Sequence, residues 1–421
     1  MSIVHTPFTS LLGFSAPAEG GTSVEQFLLL LAVILVSAKV LGELAERIGQ
    51  PAIVGELLAG VILGPSLIGF VDPNLPALHL TAEIGVVLLL FGIGLETDLK
   101  RLMSVGVAAT AVAVVGVVLP FAAGYFVSRA LGLALLPAIV AGAALTATSV
   151  GITARVFSDL GRLKTVEGQI VLGAAVIDDV IGLVILAIVS DLVAGTLPTV
   201  VGVLRTTAVA FGFLAAALIV GRFVVPPLFA LIARSGKEHT LASMALALAF
   251  LLAVLASNVG SALIVGAFAA GLVLAPTDHA HVVERGIVRL ANVFVPVFFV
   301  AVGAAVDVRT FGSAGVAIIG LALTAVAIAG KFAAGYSPVW VRARKMVIGV
   351  GMIPRGEVGL IFAQTGLTAG VIDAGEYSAL MLMVLITTFI SPPLLRRLLT
   401  KAASTGDEAD TGALVEMTTE A

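Results

Sequence analysis

The chain has 421 residues, of which 59% are hydrophobic and only 12% are charged, and its formal net charge is −3. A water-soluble protein of this length could not bury so much apolar surface, so the composition indicates a polytopic membrane protein. The overall charge suggests no nucleic-acid partner. The chain contains no cysteine, which excludes disulfides, thiolate metal sites and thiol catalysis.

The predicted membrane spans take up most of residues 23–400. About thirteen apolar segments are long enough to cross a bilayer as all-α helices. They cover roughly residues 25–45, 51–70, 79–97, 103–128, 133–157, 165–190, 203–225, 239–257, 259–275, 286–305, 312–340, 344–369 and 375–398. Residues 1–22 lack the features of a cleaved signal, and we expect a short extracellular or periplasmic N-terminus. Residues 401–421 are acidic, small and polar, and we expect a disordered cytoplasmic tail.

Basic residues predict the orientation of the chain. Alternate connections between spans carry most of the positive charge, so the positive-inside rule places the N-terminus outside and the C-terminus in the cytoplasm. The residues that set this pattern are Arg47, Lys100, Arg101, Arg162, Lys164, Arg234, Lys237, Arg285, Arg289, Arg342, Arg344, Lys345, Arg396, Arg397 and Lys401.

An odd number of spans divides naturally into two halves of six spans and one linker helix, at about residues 200–235. The second half then inserts upside down, which is the arrangement of an inverted repeat. The fifth span of each half contains helix-weakening residues at mid-membrane depth, LTATSVG at 145–151 and GMIPRGEVG at 351–359. Two interrupted helices in matching positions predict the binding site of a transporter.

Two adjacent carboxylates, Asp178 and Asp179, lie in the middle of the sixth span. Each costs about 3 kcal/mol or more at this depth, so their presence indicates a functional site. Neighbouring residues on a helix point about 100° apart, so we expect one to bind a cation at a cavity and the other to pair with a base. The alternative is two protonated acids that hold helices together.

Lys331 is the predicted salt-bridge partner of Asp178, because it is the only ammonium well inside a span; the alternative is that it reaches the membrane surface. Hydroxyls of Thr146, Thr148 and Ser149 and the interrupted backbone are candidate oxygen ligands for a dehydrated monovalent cation. The alternative for each hydroxyl is a hydrogen bond to its own helix.

Arg355 and Glu357 stand two residues apart in the second interrupted span. We expect them to compensate the opposed dipoles of the half-helices rather than to bind the ion directly. A further set of acidic residues near helix ends is expected to be mostly interfacial: Glu43, Glu46, Glu56, Glu96 and Asp98.

Several motifs together resemble the monovalent cation/proton antiporter superfamily. They are GELLAGVILGPS from Gly55, FGIGLETDL from Phe91, ATSVGITARVF from Ala147, GAAVIDDVIGLVIL from Gly173, FVPVFFVAVG from Phe294 and IPRGEVGLIFA from Ile353. Within that superfamily the chain is most similar to bacterial Na⁺/H⁺ exchangers with an Asp-Asp pair.

The resemblance implies a multi-pass protein of the bacterial inner membrane that forms a homodimer. It implies a dimerisation part at about 23–100 and 238–308, and a mobile core part at about 101–192 and 309–400 with two crossed broken helices. Membrane lipid, a second copy of the chain and monovalent cations are then its partners. No cofactor is expected beyond the transported Na⁺ and H⁺.

By position in these motifs, Asp179 is similar to the family's essential ion- and proton-binding carboxylate, with Asp178 and Thr148 near the same Na⁺. Asp178 is similar to the residue that pairs with a lysine, here Lys331, which implies electrogenic exchange. The alternatives are a K⁺/H⁺ antiporter or K⁺ efflux protein, and a gated cation channel without proton coupling. An enzyme is not expected, because no nucleophile–base set is evident.

Overall fold

The computed structural model describes residues 23–97, 99–193, 199–233, 238–306 and 308–404, and every regular element in these ranges is helical. The helices are α1 (Val24–Arg47), α2 (Ala52–Leu63), α3 (Pro76–Glu96), α4 (Leu99–Ser104), α5 (Gly106–Ala130), α6 (Leu135–Ala144), α7 (Val150–Asp159), α8 (Val166–Val193), α9 (Val200–Ala233), α10 (Glu238–Asn258), α11 (Leu263–Leu274), α12 (Ala280–Ala304), α13 (Ala314–Ala334), α14 (Lys345–Gly351), α15 (Glu357–Thr368) and α16 (Ala374–Ser404). A short 3-10 helix, Val308–Gly312, precedes α13. The expected N-terminal segment, Asp98 and most of the expected tail lie outside the described residues.

Among the described residues, nine helices are long and apolar enough to cross a membrane. Four shorter apolar helices accompany them, including α2 and α11. The order matches the predicted spans when α6 with α7, and α14 with α15, each count as one interrupted span. The structure therefore has the all-α polytopic architecture that the sequence predicts.

Several boundaries differ from the prediction by six residues or more: α12 begins at Ala280 rather than 286, α13 ends at Ala334 rather than 340, and α16 ends at Ser404 rather than 398. The differences at α2 and α9 are larger. The second span was expected over 51–70, but α2 ends at Leu63 because Gly64 and Pro65 follow, and the Gly64 N–H closes the helix on the Gly60 carbonyl. The seventh span was expected over 203–225, but α9 continues through Pro226 and Pro227 to Ala233. Proline inside a helix removes a backbone hydrogen bond without always ending the helix.

The helices pack in two groups. In the first, α3 packs against α11 and α12, and α2 packs against α1 and α12, with α10 alongside α11. In the second, α13 packs against α5 and α16, and α5 packs against α6 and α8, with α7, α14 and α15 in contact with α8 or α16. We call these the scaffold group and the core group. Helix α9 contacts α8, α10 and α11 and so links the two.

Equivalent helices of the two halves make equivalent contacts. The pair α1–α2 corresponds to α10–α11, the pair α2–α12 to α11–α3, and the pair α5–α8 to α13–α16. Each half therefore contributes three helices to the scaffold group and three spans to the core group. This pairing is the six-plus-six repeat with α9 as the linker helix.

Glycines hold the scaffold helices close together. A Cβ at Gly60 of α2 would lie 2.1 Å from the Val300 carbonyl oxygen, and a Cβ at Gly303 of α12 would lie 2.1 Å from the Leu57 carbonyl oxygen. Small residues let helix backbones approach closely in a membrane. The close contact leaves α2 and α12 little freedom to slide, so the scaffold offers a firm wall to the core group.

Candidate functional site

The first interrupted span breaks between α6 and α7, at residues 145–149. The segment contains Thr146, Thr148 and Ser149, whose side chains compete with the helix for backbone hydrogen bonds. The Thr146 hydroxyl, for example, donates to the Ala143 carbonyl at 2.7 Å. The break exposes helix-terminal N–H and C=O groups inside the protein, which need partners from elsewhere in the fold.

The second interrupted span breaks between α14 and α15, at residues 352–356. Pro354 has no N–H and disfavours a helical conformation in the residue before it, so the helix stops there. Gly356 lies against the first break, because a Cβ at this position would lie 2.7 Å from Ser149 Oγ. Only glycine fits this approach without displacing Ser149.

The two breaks cross and bind each other directly. The Ser149 N–H donates to the Pro354 carbonyl at 2.8 Å, and the Thr153 hydroxyl donates to the Gly351 carbonyl at 2.6 Å. Each half-helix thereby satisfies orphan backbone groups of the other. The crossing forms one connected unit at the centre of the core group.

Asp178 of α8 lies beside this crossing and accepts two short hydrogen bonds. Its Oδ2 accepts a hydrogen bond from Lys331 Nζ of α13 at 2.7 Å and another from the Thr148 hydroxyl at 2.6 Å. Asp178 and Lys331 are both fully buried. Two buried opposite charges at this separation attract each other strongly, because little solvent screens them.

The residues around this ion pair make room for the lysine side chain. They also leave one carboxylate oxygen of Asp178 without a hydrogen bond. A Cβ at Gly116 of α5 would lie 3.3 Å from Lys331 Nζ, so glycine at that position accommodates the lysine chain. Asp178 Oδ1 is buried and has no hydrogen-bond partner among the described residues. A buried carboxylate oxygen without a donor is a suitable ligand for a cation or a proton.

Asp179 lines a cavity between the core and scaffold groups. The cavity is small, with about 10 Å³ open to the centre of a water molecule, and Thr148 and Ser149 line it from the core side. Its scaffold wall is apolar and consists of Val86, Leu90, Ile264 and Phe298. Asp179 is 4% exposed, so its carboxylate lies in a poorly solvated place next to an open space.

Arg355 lies in the second break, and its side chain binds the backbone of the first break. Its Nη1 donates to the Ala147 carbonyl at 2.7 Å, while its Nε and Nη2 have no partner among the described residues. Ala147 lies in the loop three residues beyond the end of α6, so this bond joins the two breaks. The side chain of Glu357, the other residue expected to compensate the dipoles, is outside the described part of the structure.

Helix α16 supplies hydroxyls that sequence reasoning missed. Thr388 donates to the Arg355 carbonyl at 2.6 Å, and Ser391 donates to the Val350 carbonyl at 2.9 Å. By the repeat, α16 is the counterpart of α8, so it supports the second break where α8 supports the first. The only sequence signal was isolated Ser and Thr residues in an apolar helix.

Glu56 also differs from the expectation of an interfacial acid. It lies on α2, is 6% exposed, and its Oε2 has no hydrogen-bond partner within the described ranges. The reason is that α2 packs against α1 and α12, which buries Glu56 together with its neighbours Gly55 and Leu57.

The arrangement defines a class of membrane transporter. Crossed discontinuous helices, with buried carboxylates at their crossing and a cavity between two helix groups, are the features of a secondary transporter built on inverted repeats.

Comparison with known proteins gives the family. The family model described as "Sodium/hydrogen exchanger, transmembrane" matches residues 30–401, and the chain belongs to this family. It is 40% identical over 409 residues to the high-affinity Na⁺/H⁺ antiporter NhaS3 of Synechocystis, covering 88% of this chain and 89% of that one. It is 35% identical over 378 residues to the Na⁺/H⁺-K⁺ antiporter GerN of Bacillus cereus, covering 88% of this chain and 96% of that one.

A solved structure shares the fold. The sodium proton antiporter MjNhaP1 from Methanocaldococcus jannaschii superposes with a TM-score of 0.66 at 18% identity, and the match covers 89% of this chain and 99% of that chain.

Proposed function

We propose that this protein exchanges Na⁺ for H⁺ across the membrane, with Asp179 as the shared binding site. The observation that carries the proposal is the different placement of two adjacent carboxylates. Asp178 is held by Lys331 and Thr148, whereas Asp179 faces the cavity between the two helix groups. The family and the names of the two relatives support the same activity.

Competition at one carboxylate explains exchange. A carboxylate in a poorly solvated cavity binds either a proton or a dehydrated cation, because each neutralises the same charge. The proposed further ligands of a Na⁺ ion at Asp179 are Thr148 and Ser149, which line the same cavity, and Asp178 Oδ1, which accepts no hydrogen bond in the described structure. Hard monovalent cations favour such oxygen ligands.

Coupling follows from the cost of moving bare charge. The site faces the other side of the membrane only when Asp179 is neutralised, since an empty carboxylate would have to cross an apolar wall. The scaffold residues Val86, Leu90 and Phe298 form that wall. Na⁺ and H⁺ therefore occupy the site alternately and cross the membrane in opposite directions.

Lys331 is the proposed second proton carrier. When Na⁺ neutralises part of the carboxylate charge, the attraction that holds the Lys331 proton weakens and the ammonium releases it. Two protons per Na⁺ would make exchange electrogenic, with about 2.3 kcal/mol available per net charge for each 100 mV of membrane potential.

The assembly belongs to the same proposal. We propose a homodimer in a bacterial inner membrane, with the scaffold group (about 23–100 and 238–308) at the subunit interface and the core group (about 101–192 and 309–400) as the moving part. The basic connections support an outside N-terminus and a cytoplasmic C-terminus.

The test uses purified protein in liposomes that contain a pH-sensitive dye. The membrane potential is held at zero with K⁺ on both sides and valinomycin, and Na⁺ is added outside. The expected result is an alkaline shift inside, because inward Na⁺ drives protons out. Asp179→Asn should abolish the shift, whereas Asp191→Asn, a variant on the same helix with an exposed side chain, should retain it.

A gated cation channel gives a different result. It admits labelled Na⁺ but moves no protons at zero potential, and that outcome would overturn the proposal. Replacing Na⁺ with Li⁺ measures selectivity between those two ions. K⁺ is measured in a separate arm in which a permeant anion, rather than valinomycin, dissipates the potential.

A further inference from the structure

The connection between α13 and α14 has an unusual surface for a short membrane loop. Residues 336–345 read YSPVWVRARK, and Trp340 is the only tryptophan of the chain. Val339 is 79% exposed, Trp340 57% and Tyr336 43%. These apolar and aromatic side chains project outward directly after the end of a membrane-spanning helix, at Ala334.

The loop is held in this shape by its own lysine. Lys345 Nζ donates to the Val341 carbonyl at 2.6 Å and also to the Pro338 carbonyl. The Val341 N–H donates to the Pro338 carbonyl at 3.1 Å. These bonds close the backbone on itself, so Val339 and Trp340 stay at the tip of the loop.

Arg344 fastens the loop to two other helices. Its backbone N–H donates to Glu167 Oε1 of α8 at 2.9 Å, and its Nη1 donates to the Leu398 carbonyl of α16 at 3.2 Å. The second bond places the loop against the turn of α16 that carries Arg396 and Arg397. The loop and the last turns of α16 therefore form one surface of the core group.

Three arginines on this surface have no acidic partner among the residues that the structure describes. Arg342 and Arg397 are exposed and Arg396 is partly exposed. Within the described part of the chain, none of the three side chains has a hydrogen-bond or ion-pair partner. Arg344, by contrast, has its partners inside the fold. Cations beside exposed aromatic side chains at a helix end match the chemistry of a lipid interface, where tryptophan and tyrosine lie at headgroup depth.

We propose that the loop 336–345 and the end of α16 bind anionic phospholipids. In this arrangement Val339 and Trp340 enter the boundary between headgroups and acyl chains, and Arg342, Arg396 and Arg397 contact lipid phosphates. Charge complementarity favours anionic over zwitterionic lipids, because three guanidiniums that are exposed or partly exposed attract net negative headgroups. The proposal goes beyond the exchange reaction and does not depend on it.

The sole tryptophan makes the test direct. Wild-type protein is reconstituted in phosphatidylcholine vesicles that contain equal fractions of phosphatidylglycerol, with bromine on the acyl chains of either the phosphatidylglycerol or the phosphatidylcholine. Bromine quenches tryptophan on contact. We expect brominated phosphatidylglycerol to quench Trp340 at least about twofold more than brominated phosphatidylcholine at equal mole fraction.

Charge variants separate specific contact from bulk attraction. The triple variant Arg342→Gln, Arg396→Gln, Arg397→Gln should lose the preference, and the corresponding Arg→Lys triple variant should keep part of it. A matched control, Arg47→Gln, Arg285→Gln, Arg289→Gln, removes the same charge from the scaffold group and should leave the preference intact.

Three results would overturn the proposal. The first is equal quenching of wild type by both brominated lipids, and the second is equal loss of preference in the matched control. The third is strong quenching of Trp340 by acrylamide in anionic vesicles, which would place the loop in water, as expected of a site for a soluble protein partner.

Discussion

Lys331 and Asp178 form a fully buried ion pair, with 2.7 Å between Nζ and Oδ2, although 153 residues separate them in the chain. The pair joins α13 to α8, and the hydroxyl of Thr148 joins both to the first broken helix. One polar contact thus connects spans from both halves of the repeat at the place where the ion is proposed to bind.

Removing one charge of this ion pair should destabilise the protein more than removing both. Lys331→Met leaves Asp178 without its cation, and breaking one partner of a buried ion pair costs about 3–5 kcal/mol. The double variant Lys331→Met with Asp178→Asn removes both charges and should recover more than half of the loss. Thermal unfolding in detergent measures both. Thr324→Val, which keeps the side-chain shape and removes only the bond from the Thr324 hydroxyl to the Gly320 carbonyl within α13, is the control and should shift Tm little. Equal Tm values for the single and double variants would contradict the predicted coupling.

The same lysine should set the response to voltage. If Lys331 carries the second proton, Lys331→Gln exchanges one proton per Na⁺, so its rate no longer depends on the membrane potential. Initial rates in liposomes at zero and at an imposed potential of about 100 mV measure this. Wild type should respond to the potential and the variant should not. A variant that keeps the wild-type voltage dependence would remove Lys331 from the proton count.

Low pH should weaken Na⁺ binding rather than the maximal rate. Below the pKa of the binding carboxylate, Na⁺ must displace the carboxylate proton as well as the proton proposed to leave Lys331, so the KM for Na⁺ should rise more than about tenfold for each unit of falling pH. Above that pKa the dependence of the KM on pH should become shallower, because only the Lys331 proton is then released when Na⁺ binds. Exchange rates over a matrix of pH and Na⁺ concentration give both parameters. A constant KM with a falling kcat would indicate that protons and Na⁺ bind at different sites.

The contact between α7 and α3 should hold the core group against the scaffold. Ser158 Oγ of α7 donates to Glu96 Oε2 of α3 at 3.1 Å. The chain has no native cysteine, so cysteines at these two positions can be joined by a short reducible cross-linker. We expect the cross-link to stop exchange and reduction to restore it, because the core group can no longer move.

A cross-link inside the scaffold group provides the control. A Cβ at Gly42 of α1 would lie 3.7 Å from the Ala52 Cβ, a suitable distance for a disulfide. Closing Gly42→Cys to Ala52→Cys should leave exchange unchanged. Full activity in the cross-linked Glu96→Cys, Ser158→Cys protein would show that the two groups do not move apart there.

Gly356 should tolerate no side chain. A Cβ at this position would lie 2.7 Å from Ser149 Oγ and 2.8 Å from Ser149 Cβ. Gly356→Ala therefore pushes the two breaks apart, at a cost of about 1–3 kcal/mol, and should reduce exchange more than tenfold in the liposome assay. Gly212→Ala on α9, where an added Cβ meets nothing within 4 Å, should be silent. Wild-type exchange by Gly356→Ala would mean that the crossing can relax without loss of the site.

The spans, the two interruptions and the buried charges Asp178, Asp179 and Lys331 could be predicted from the sequence for one reason. Polar residues and proline are conspicuous in an apolar chain, because a membrane gives them no water to satisfy them. Asp178, Lys331 and Pro354 could therefore be recognised in the sequence as the ion pair and the second interruption. The early end of α2 was missed, because the apolar residues after Gly64 continue the hydropathy signal.

Which side of each helix contacts which neighbouring helix could not be predicted. Nearly uniform apolar helices have no hydrophobic stripe that shows which side meets which neighbour. Val86, Leu90 and Phe298 gave no sign that they line the cavity opposite Asp179. Thr388 and Ser391 likewise gave no sign that they bind the second break, since a hydroxyl on a membrane helix usually bonds within its own helix.

The hydrogen bond from the Ser149 N–H to the Pro354 carbonyl ties the two broken helices by their main chains, which no side-chain substitution removes. Because of this bond, neither broken helix can move without the other. A Na⁺ ion bound at the crossing would therefore move together with all its ligands, instead of diffusing through a stationary channel.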